Sequence, residues 1–282
     1  MRRLRVLVLM HKDLVPPDQL NGQDLEGAAW KTEYDVVSTL RKLGHDVQPL
    51  GVKSDLEVIR AAVEDWKPHI AFNLLEEFDG RAVYDQNVVS YLELMRIPYT
   101  GCNPRGLMLA RDKALAKQVM SYHRIPYPEF MVVPLHRMVR RPKYLPFPLI
   151  VKSISEEASL GISQASIVDD DEKLRERVAF IHDNVGTGAL IERYIEGREL
   201  YVGVMGNAHL QVFPVWELVM DKMPDEARRI ATERVKWSRK YQDKYGICSC
   251  EARNLPDGVV DHIQHLAKRV YRPGVYAIPY EG

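Results

Sequence analysis

The first hundred residues combine short apolar runs with segments of helical spacing. Residues 6–10 form a continuous apolar run, which is typical of a strand covered on both faces. The next segment has apolar residues at helical spacing, with Thr32 as a candidate N-cap and Gly44 at its end. The pattern predicts further strands at residues 47–52 and 70–75, and further helices at residues 56–66 and 88–95. We therefore predict a parallel sheet flanked by helices, which makes a small doubly wound α/β domain.

The pattern changes in the second hundred residues. Residues 107–123 predict a helix, and residues 125–148 carry six prolines and a short basic run, which is typical of a linker. Apolar and β-branched runs then predict strands at residues 149–153, 162–168, 189–195, 200–205 and 211–219. Helical stretches are predicted at residues 172–183, within 225–245 and at 259–271. An α+β region therefore follows the α/β domain.

Composition and charge exclude several classes of protein. Hydrophobic residues make up 46% of the 282 residues and charged ones 28%, which disfavours disorder. The 39 Lys and Arg residues balance 39 Asp and Glu residues, so a strongly basic nucleic-acid binder is not expected. Three cysteines, an odd number, indicate reduced thiols in a cytosolic compartment rather than a disulfide framework.

Signals for export and for membrane insertion are weak. The opening apolar run of about five residues is shorter than the ~7 to 15 of a signal peptide. No run approaches the ~18 apolar residues of a membrane span. We therefore expect a cytoplasmic protein whose partners are small molecules, without a membrane or nucleic acid.

The common catalytic and metal-binding motifs are absent from the sequence. It contains no P-loop, no GxGxxG after the first strand, and no HExxH, CxxC or GxSxG. Cys248 and Cys250 form a CxC pair without a second pair or a histidine at zinc spacing. Structural zinc requires four ligands at defined spacing, so we do not expect a metal site there.

Lys152 is unusual because it interrupts an apolar strand. Burying an unpaired ammonium group is costly, so one interpretation is that Lys152 points at a partner anion. The other is that it reaches the surface from the strand end. Residues 153–163 form a small, glycine-bearing hairpin loop, of the kind whose backbone N–H groups hold phosphate oxygens. Each feature alone is common.

A series of spaced motifs is specific when its members are taken together. The motifs are Ile97-Pro98-Tyr99-Thr100-Gly101, Asp112-Lys113 with Lys117, Ile125-Pro126-Tyr127-Pro128, Phe147-Pro148-Leu149-Ile150-Val151-Lys152, Ser159-Leu160-Gly161-Ile162, Ile191-Glu192 and Gly197-Arg198-Glu199-Leu200. In this order they resemble the motifs of the D-alanine:D-alanine ligases, which are ATP-grasp enzymes. The resemblance covers about residues 70–272. It implies an ATP-grasp fold in which two lobes enclose the nucleotide.

The resemblance also implies a domain order and site residues. The domains are an N-terminal α/β domain at 1–104, a small lobe with linker and lid loop at 105–195, and a C-terminal lobe at 196–282. The nucleotide-binding positions are Lys113 and Lys152 at the phosphates, Glu192, Arg193, Tyr194 and Ile195 at the adenine, Glu199 at the ribose, and Ser159 and Gly161 in the lid loop. The catalytic positions are Ser159, together with Lys244 and Tyr245, which resemble the Lys-Tyr pair of the mobile loop that closes on the γ-phosphate.

The chemistry implied by the resemblance is ATP-dependent amide-bond formation in a bacterial cytoplasm, with ATP and Mg²⁺ as cofactors. A carboxylate attacks the γ-phosphate to form an acyl phosphate, which an amine captures. The substrates would be small amino acids or short peptides. A homodimer is left open.

Two departures from the family pattern concern the substrates. The region where the family's N-terminal glutamate lies is here a longer loop at residues 12–31, and Glu33 lies further along, inside a helix, so the role is not transferred. The family's His-Gly element is replaced by a segment that contains Glu76 and Glu77. We therefore do not assign D-alanine as the substrate.

A third departure concerns the metal. Family members continue after the last helix with acidic and amide residues that hold two Mg²⁺ ions, whereas residues 272–282 contain a single acidic residue, Glu281, and no amide side chain. The metal ligands are therefore unassigned. Two interpretations are open. The first, which we favour, is that the natural protein has a further segment. The second is a nucleotide-binding ATP-grasp protein with a regulatory or scaffold role and no turnover.

Overall fold

The computed structural model describes residues 2–18, 25, 27–156, 159–224 and 226–275. The chain divides into two compact units, Met1–Met108 and Leu109–Gly282. Within the described residues, the first unit contains a parallel sheet and the second contains two antiparallel sheets. The predicted combination of an α/β region and an α+β region is confirmed.

The sheet of the first unit is built around a buried strand. β1 (Arg5–His11) lies between β2 (Asp46–Val52) and β3 (Ile70–Asn73), and both neighbours run parallel to it. Alternate residues of β1 pack against helices on opposite faces, which explains its unbroken apolar run. The helices are α1 (Lys31–Lys42), α2 (Glu57–Trp66) and α3 (Asp85–Leu94), followed by α4 (Pro104–Arg111) at the boundary of the two units.

The second unit contains α5 (Lys113–Tyr122) and a four-stranded sheet. The next elements are β4 (Phe130–Val133), β5 (Leu149–Ser153), β6 (Ile167–Val168), α6 (Asp171–Phe180) and β7 (Ala189–Arg193). The strands lie in the order β4-β7-β5-β6, and neighbouring strands are antiparallel. Leu174 and Val178 of α6 pack with buried side chains of β5 and β7 and form a hydrophobic core.

The rest of the second unit, in its described residues, contains a second sheet and three helices. The elements are β8 (Glu199–Met205), β9 (Gln211–Val219), α7 (Glu233–Trp237), α8 (Arg239–Tyr245), β10 (Cys248–Glu251) and α9 (Val259–Val275). The strands lie in the order β10-β9-β8, and α9 packs against β8 and β9. The division of this unit into lobes at 105–195 and 196–282 stays a prediction.

Several elements differ from the sequence prediction. The proline-rich linker contains β4, which pairs with β7. Only the last two residues of the predicted strand 162–168 are a strand, because Ser163 caps a 3-10 helix at Gln164–Ser166. Thr32 does not cap α1, which begins after Trp30 without a side-chain cap. The strand β10 was not predicted, because its polar sequence lacks an apolar run.

The predicted helix 107–123 is two helices, because Asp112 interrupts it. Asp112 has extended backbone angles (φ −104°, ψ 97°). Its Oδ1 accepts hydrogen bonds from the N–H groups of Ala114 (3.0 Å) and Leu115 (2.9 Å). An aspartate with this geometry is an N-cap. The break places Lys113 at the first position of α5.

Replacing Asp112 with alanine is expected to lower the free energy of unfolding by about 1 kcal/mol, because two N–H groups lose their acceptor. Asp112→Asn keeps an acceptor oxygen at the same place and is the matched control, with little expected change. Chemical denaturation measures both variants. Equal losses in the two would contradict the capping role.

Candidate functional site

A cavity of about 510 Å³ in the second unit collects most of the residues assigned by the resemblance. Its walls come from β5, β7, the chain that follows β7, and residues 229–236. The assigned residues that line it are Lys113, Lys152, Ser159, Glu192, Arg193, Tyr194, Ile195 and Glu199. Gly161, Lys244 and Tyr245 are not among its lining residues. The fold thus gathers side chains from α5, two central strands and a loop.

A buried carboxylate lies in the wall of this cavity. Glu192 is 5% exposed, and its Oε2 lies 2.8 Å from Nζ of Lys117 on α5. Its Oε1 accepts a hydrogen bond from Nζ of Lys152 on β5. Lys152 is two residues along β5 from Ile150, which is opposite Glu192, so the strand register puts both side chains on one face. The ammonium group in the apolar strand therefore has a protein carboxylate as partner.

The charges of these three side chains do not cancel. Burial raises the pKa of Glu192, but the attraction and hydrogen bonds of Lys152 and Lys117 outweigh it, and the pKa lies below its usual value. Glu192 is therefore ionised at neutral pH. Two ammonium groups beside one carboxylate leave a formal charge of +1 in the cavity wall.

Lys113 is held at the start of α5. Its backbone N–H donates to the carbonyl of Ile154 (3.3 Å), just after β5. Its Nζ donates to the carbonyl of Glu156 (2.5 Å). Both hydrogen bonds tie the first turn of α5 to the loop that follows β5, so the ammonium group lies beside that loop.

The loop after β5 ends in a tight turn. The N–H of Ile162 donates to the carbonyl of Ser159 (2.9 Å), and Gly161 has φ +71° at the third position, as a type II turn requires. A Cβ on Gly161 would lie 3.2 Å from Cγ2 of Val185. The carbonyl of Gly161 accepts a hydrogen bond from Nη2 of Arg177 on α6. Gly161 therefore faces α6, whereas Ser159 lines the cavity.

Two segments at the cavity, residues 159–166 and 228–233, are hydrogen-bonded to each other, and we call them the cover. Oγ of Ser159 donates to the carbonyl of Ala231 (2.6 Å), and the N–H of Glu233 donates to the carbonyl of Ile162 (3.2 Å). The side-chain amide of Gln164 donates to the carbonyl of Arg228 and accepts from the N–H of Arg228, both at 2.9 Å. The two segments are thereby joined although they are far apart in the sequence.

Glu199 is oriented by a neighbouring tyrosine. The hydroxyl of Tyr201 donates to Oε1 of Glu199 at 2.5 Å. Burial is the largest of the causes that raise the pKa of Tyr201 well above its usual value. The hydrogen bond to Glu199 and the charge of Glu199 raise it further. Tyr201 therefore stays protonated and keeps donating to the carboxylate.

The structure places Lys244 and Tyr245 on α8. Nζ of Lys244 lies 4.7 Å from the centre of the Tyr245 ring, and the hydrogen bond to Tyr245 raises the pKa of Lys244. Lys236 on α7 and Arg229 do line the cavity. The sequence did not single out either residue, because basic side chains are frequent in this region and no local signal marks those that face the cavity.

The described residues contain no group of three or more His, Cys, Asp or Glu side chains that could hold a metal ion. The ligands of the Mg²⁺ site that the resemblance implies stay unassigned. None of the helices in the described ranges combines the length and apolar character that a membrane crossing requires.

Comparison with known proteins identifies the family. A family model described as the D-ala D-ala ligase C-terminus matches residues 119–273, which is more than half of the chain. The chain belongs to this family. The resemblance inferred from the spaced motifs is therefore confirmed.

The similar proteins match different shares of the chain. The D-alanine–D-alanine ligase of Gluconobacter oxydans is 31% identical over 84% of this chain and 71% of its own length. That of Acidiphilium cryptum is 33% identical over 63% of this chain and 56% of its own length. An uncharacterized protein of Sinorhizobium fredii, y4sG, is 30% identical over 64% of this chain and 54% of its own length. The chain thus spans little more than half the length of the last two.

Solved structures of D-alanine ligases share the fold. The D-alanine–D-alanine ligase of Bacillus anthracis complexed with ATP matches with a TM-score of 0.65 and 18% identity, over 95% of this chain and 77% of that chain. The VanG D-Ala:D-Ser ligase of Enterococcus faecalis matches with a TM-score of 0.61 and 18% identity, over 96% and 82% of the two chains. These matches establish an ATP-grasp fold.

Proposed function

We propose that the cavity binds ATP and that the protein is an ATP-dependent ligase, which joins a carboxylate to an amine. The observation that carries the proposal is the charge of the cavity wall. Among the described residues, six cationic side chains and three carboxylates line it. A triphosphate fits this excess of positive charge. The Bacillus anthracis ligase of the same fold was solved with ATP, which supports the proposal.

We place the base of the nucleotide beside Glu192 and residues 193–195. The exocyclic amine of adenine donates hydrogen bonds, and a carboxylate oxygen that accepts from one ammonium group has a lone pair left. Apolar side chains in the same cavity suit a flat base, and these are Ile150, Leu160, Ile162, Ile195 and Ile230. Glu199, oriented by Tyr201, would accept hydrogen bonds from the ribose hydroxyls.

We place the phosphates beside Lys113, Lys152 and Lys236. Lys236 takes the role that the resemblance gave to Lys244, because Lys236 lines the cavity. The substrate carboxylate would take the γ-phosphoryl group of ATP to form an acyl phosphate, with ADP leaving. The amine would then displace inorganic phosphate from the acyl phosphate and form the amide. Water hydrolyses acyl phosphates, so we assign to the cover the exclusion of water from the cavity.

The substrate class follows from the relatives. Those of Gluconobacter oxydans and Acidiphilium cryptum are named D-alanine–D-alanine ligases, and VanG is named a D-Ala:D-Ser ligase. We therefore propose small amino acids as the substrates.

ATP or ADP at 100 times its dissociation constant is expected to stabilise the fold by about 2.7 kcal/mol, because only the folded state has the cavity. Thermal unfolding with and without nucleotide, in the presence and absence of Mg²⁺, measures this. No shift with either nucleotide would contradict ATP binding. A shift without ADP release in the presence of small amino acids of either chirality would contradict the ligase activity and favour nucleotide binding without turnover.

A further inference from the structure

Three charged side chains at the cavity, Lys117 of α5, Glu192 of β7 and Lys152 of β5, are linked by two ion pairs, and we call them the Glu192 row. Lys117 contacts one oxygen of Glu192, and Lys152 contacts the other. The side chains of Lys117 and Glu192 are 10% and 7% exposed, whereas that of Lys152 is 27% exposed. Glu192 and Lys152 line the cavity, and Lys117 is not among the lining residues. Lys117 therefore contacts the carboxylate from behind the cavity wall.

The surroundings of Lys117 are apolar. Its Nζ lies 5.9 Å from the ring centre of Tyr127 and 5.6 Å from that of Phe130. Among the described residues, Glu192 is its carboxylate partner. An ammonium group in such a place loses its hydration, so the contact with Glu192 is what compensates its burial.

The charge balance of the row depends on Lys117. With Lys117 present, the carboxylate shares its charge between two ammonium groups. Without it, Glu192 and Lys152 would form a neutral pair, and the positive charge of Lys152 would be taken up by the carboxylate. A phosphate group entering the cavity would then meet a neutral pair in place of a cationic wall.

We propose that Lys117 is a positioning residue, which neutralises Glu192 from behind so that Lys152 keeps its charge for the phosphates of the nucleotide. This inference rests on the proposed function, because it assigns Lys152 to the phosphates of ATP. It gives a reason for a carboxylate in a cavity that takes a polyanion.

The test is a double-mutant cycle with two probes, ATP and inorganic tripolyphosphate. Isothermal titration calorimetry measures both affinities in wild type, K117M, E192Q and the double variant K117M/E192Q. K117M is expected to weaken tripolyphosphate binding about tenfold, the size of one charge-assisted hydrogen bond. In the double variant the carboxylate is absent and Lys152 is available again, so tripolyphosphate affinity returns to within about threefold of wild type.

Two features keep this test independent of folding defects and of net charge. If K117M does not fold, E192Q and the double variant still form one side of the cycle, and their tripolyphosphate affinities are expected to agree within about threefold. K173M removes an exposed lysine of α6, which pairs with Asp170 just before the helix. This variant is the control for net charge, and its affinity for tripolyphosphate is expected to be unchanged.

Three results would overturn the inference. The first is wild-type affinity for tripolyphosphate in K117M. The second is a double variant as weak as K117M. The third is a loss of affinity on adding K117M to E192Q, which would show that Lys117 attracts the phosphates directly. Wild-type protein that binds neither probe would overturn the proposed function, and this inference with it.

Discussion

Glu192→Ala is expected to lower the free energy of unfolding by about 3–5 kcal/mol, the cost of removing one partner from a buried ion pair. The substitution leaves the buried ammonium group of Lys117 without a carboxylate among the described residues, next to Lys152. Chemical denaturation of the purified protein measures the loss. The size of this effect would make Glu192 one of the most sensitive polar positions of the second unit.

The matched control is an exposed ion pair in the same unit. On α8, Nε of Arg239 lies 3.4 Å from Oδ1 of Asp243, and the two side chains are 85% and 67% exposed. Asp243→Ala is expected to cost at most about 0.5 kcal/mol, because water screens this pair. Similar losses in Glu192→Ala and Asp243→Ala would show that burial of the Glu192 row adds nothing to stability.

The same carboxylate predicts a dependence of stability on pH. The pKa of Glu192 in the folded protein lies below its usual value, despite burial, because of Lys152 and Lys117. The unfolded chain, with a pKa of about 4.3, then binds the proton first as the pH falls. The stabilisation is therefore complete above about pH 5 and is lost as the pH falls through the folded value. The difference in unfolding free energy between wild type and Glu192→Gln should shrink over that range.

Lys236→Ala is expected to weaken ATP binding by about 10- to 100-fold, because a charge-assisted contact to a phosphate contributes about 1.5–3 kcal/mol. Lys236 lines the cavity, whereas Lys244 does not. Lys244→Ala is expected to leave the affinity within about twofold of wild type. Titration calorimetry with ATP compares the two variants.

The opposite order of these two affinities would restore the role that the resemblance gives to Lys244. The comparison is informative because both lysines belong to short neighbouring helices, α7 and α8. Thr232 and Ser238 cap them, and each cap accepts a hydrogen bond from a backbone N–H of its helix. The two helices thus hold similar side chains at different distances from the cavity.

Elements with a local signal could be predicted from the sequence. β1 is a continuous apolar run covered on both faces, and β5 begins with the apolar run of Leu149, Ile150 and Val151, so the predicted bounds of both strands were close to those of the structure. β10 was missed because Cys248, Ser249 and Glu251 do not form an apolar pattern, and its place depends on pairing with β9. The helix break at Asp112 was missed, because the apolar spacing on both sides of it resembled that of one continuous helix.

The site could be predicted in part. The unusual position of Lys152 pointed to an anionic partner, and the structure identifies Glu192 on the neighbouring strand. The contribution of Lys117 could not be foreseen, because α5 and β7 are far apart in the sequence and meet only in the folded chain. The individual roles given to the cavity residues stay predictions.

The cover has a kinetic consequence. Its two segments are linked by hydrogen bonds of Ser159, Gln164 and Glu233, so neither can move away from the cavity without breaking contacts to the other. Uptake and release of a nucleotide would then share one opening step. The residence time of a nucleotide would be governed by how often the cover opens, and so would be similar for ATP and ADP even where their affinities differ.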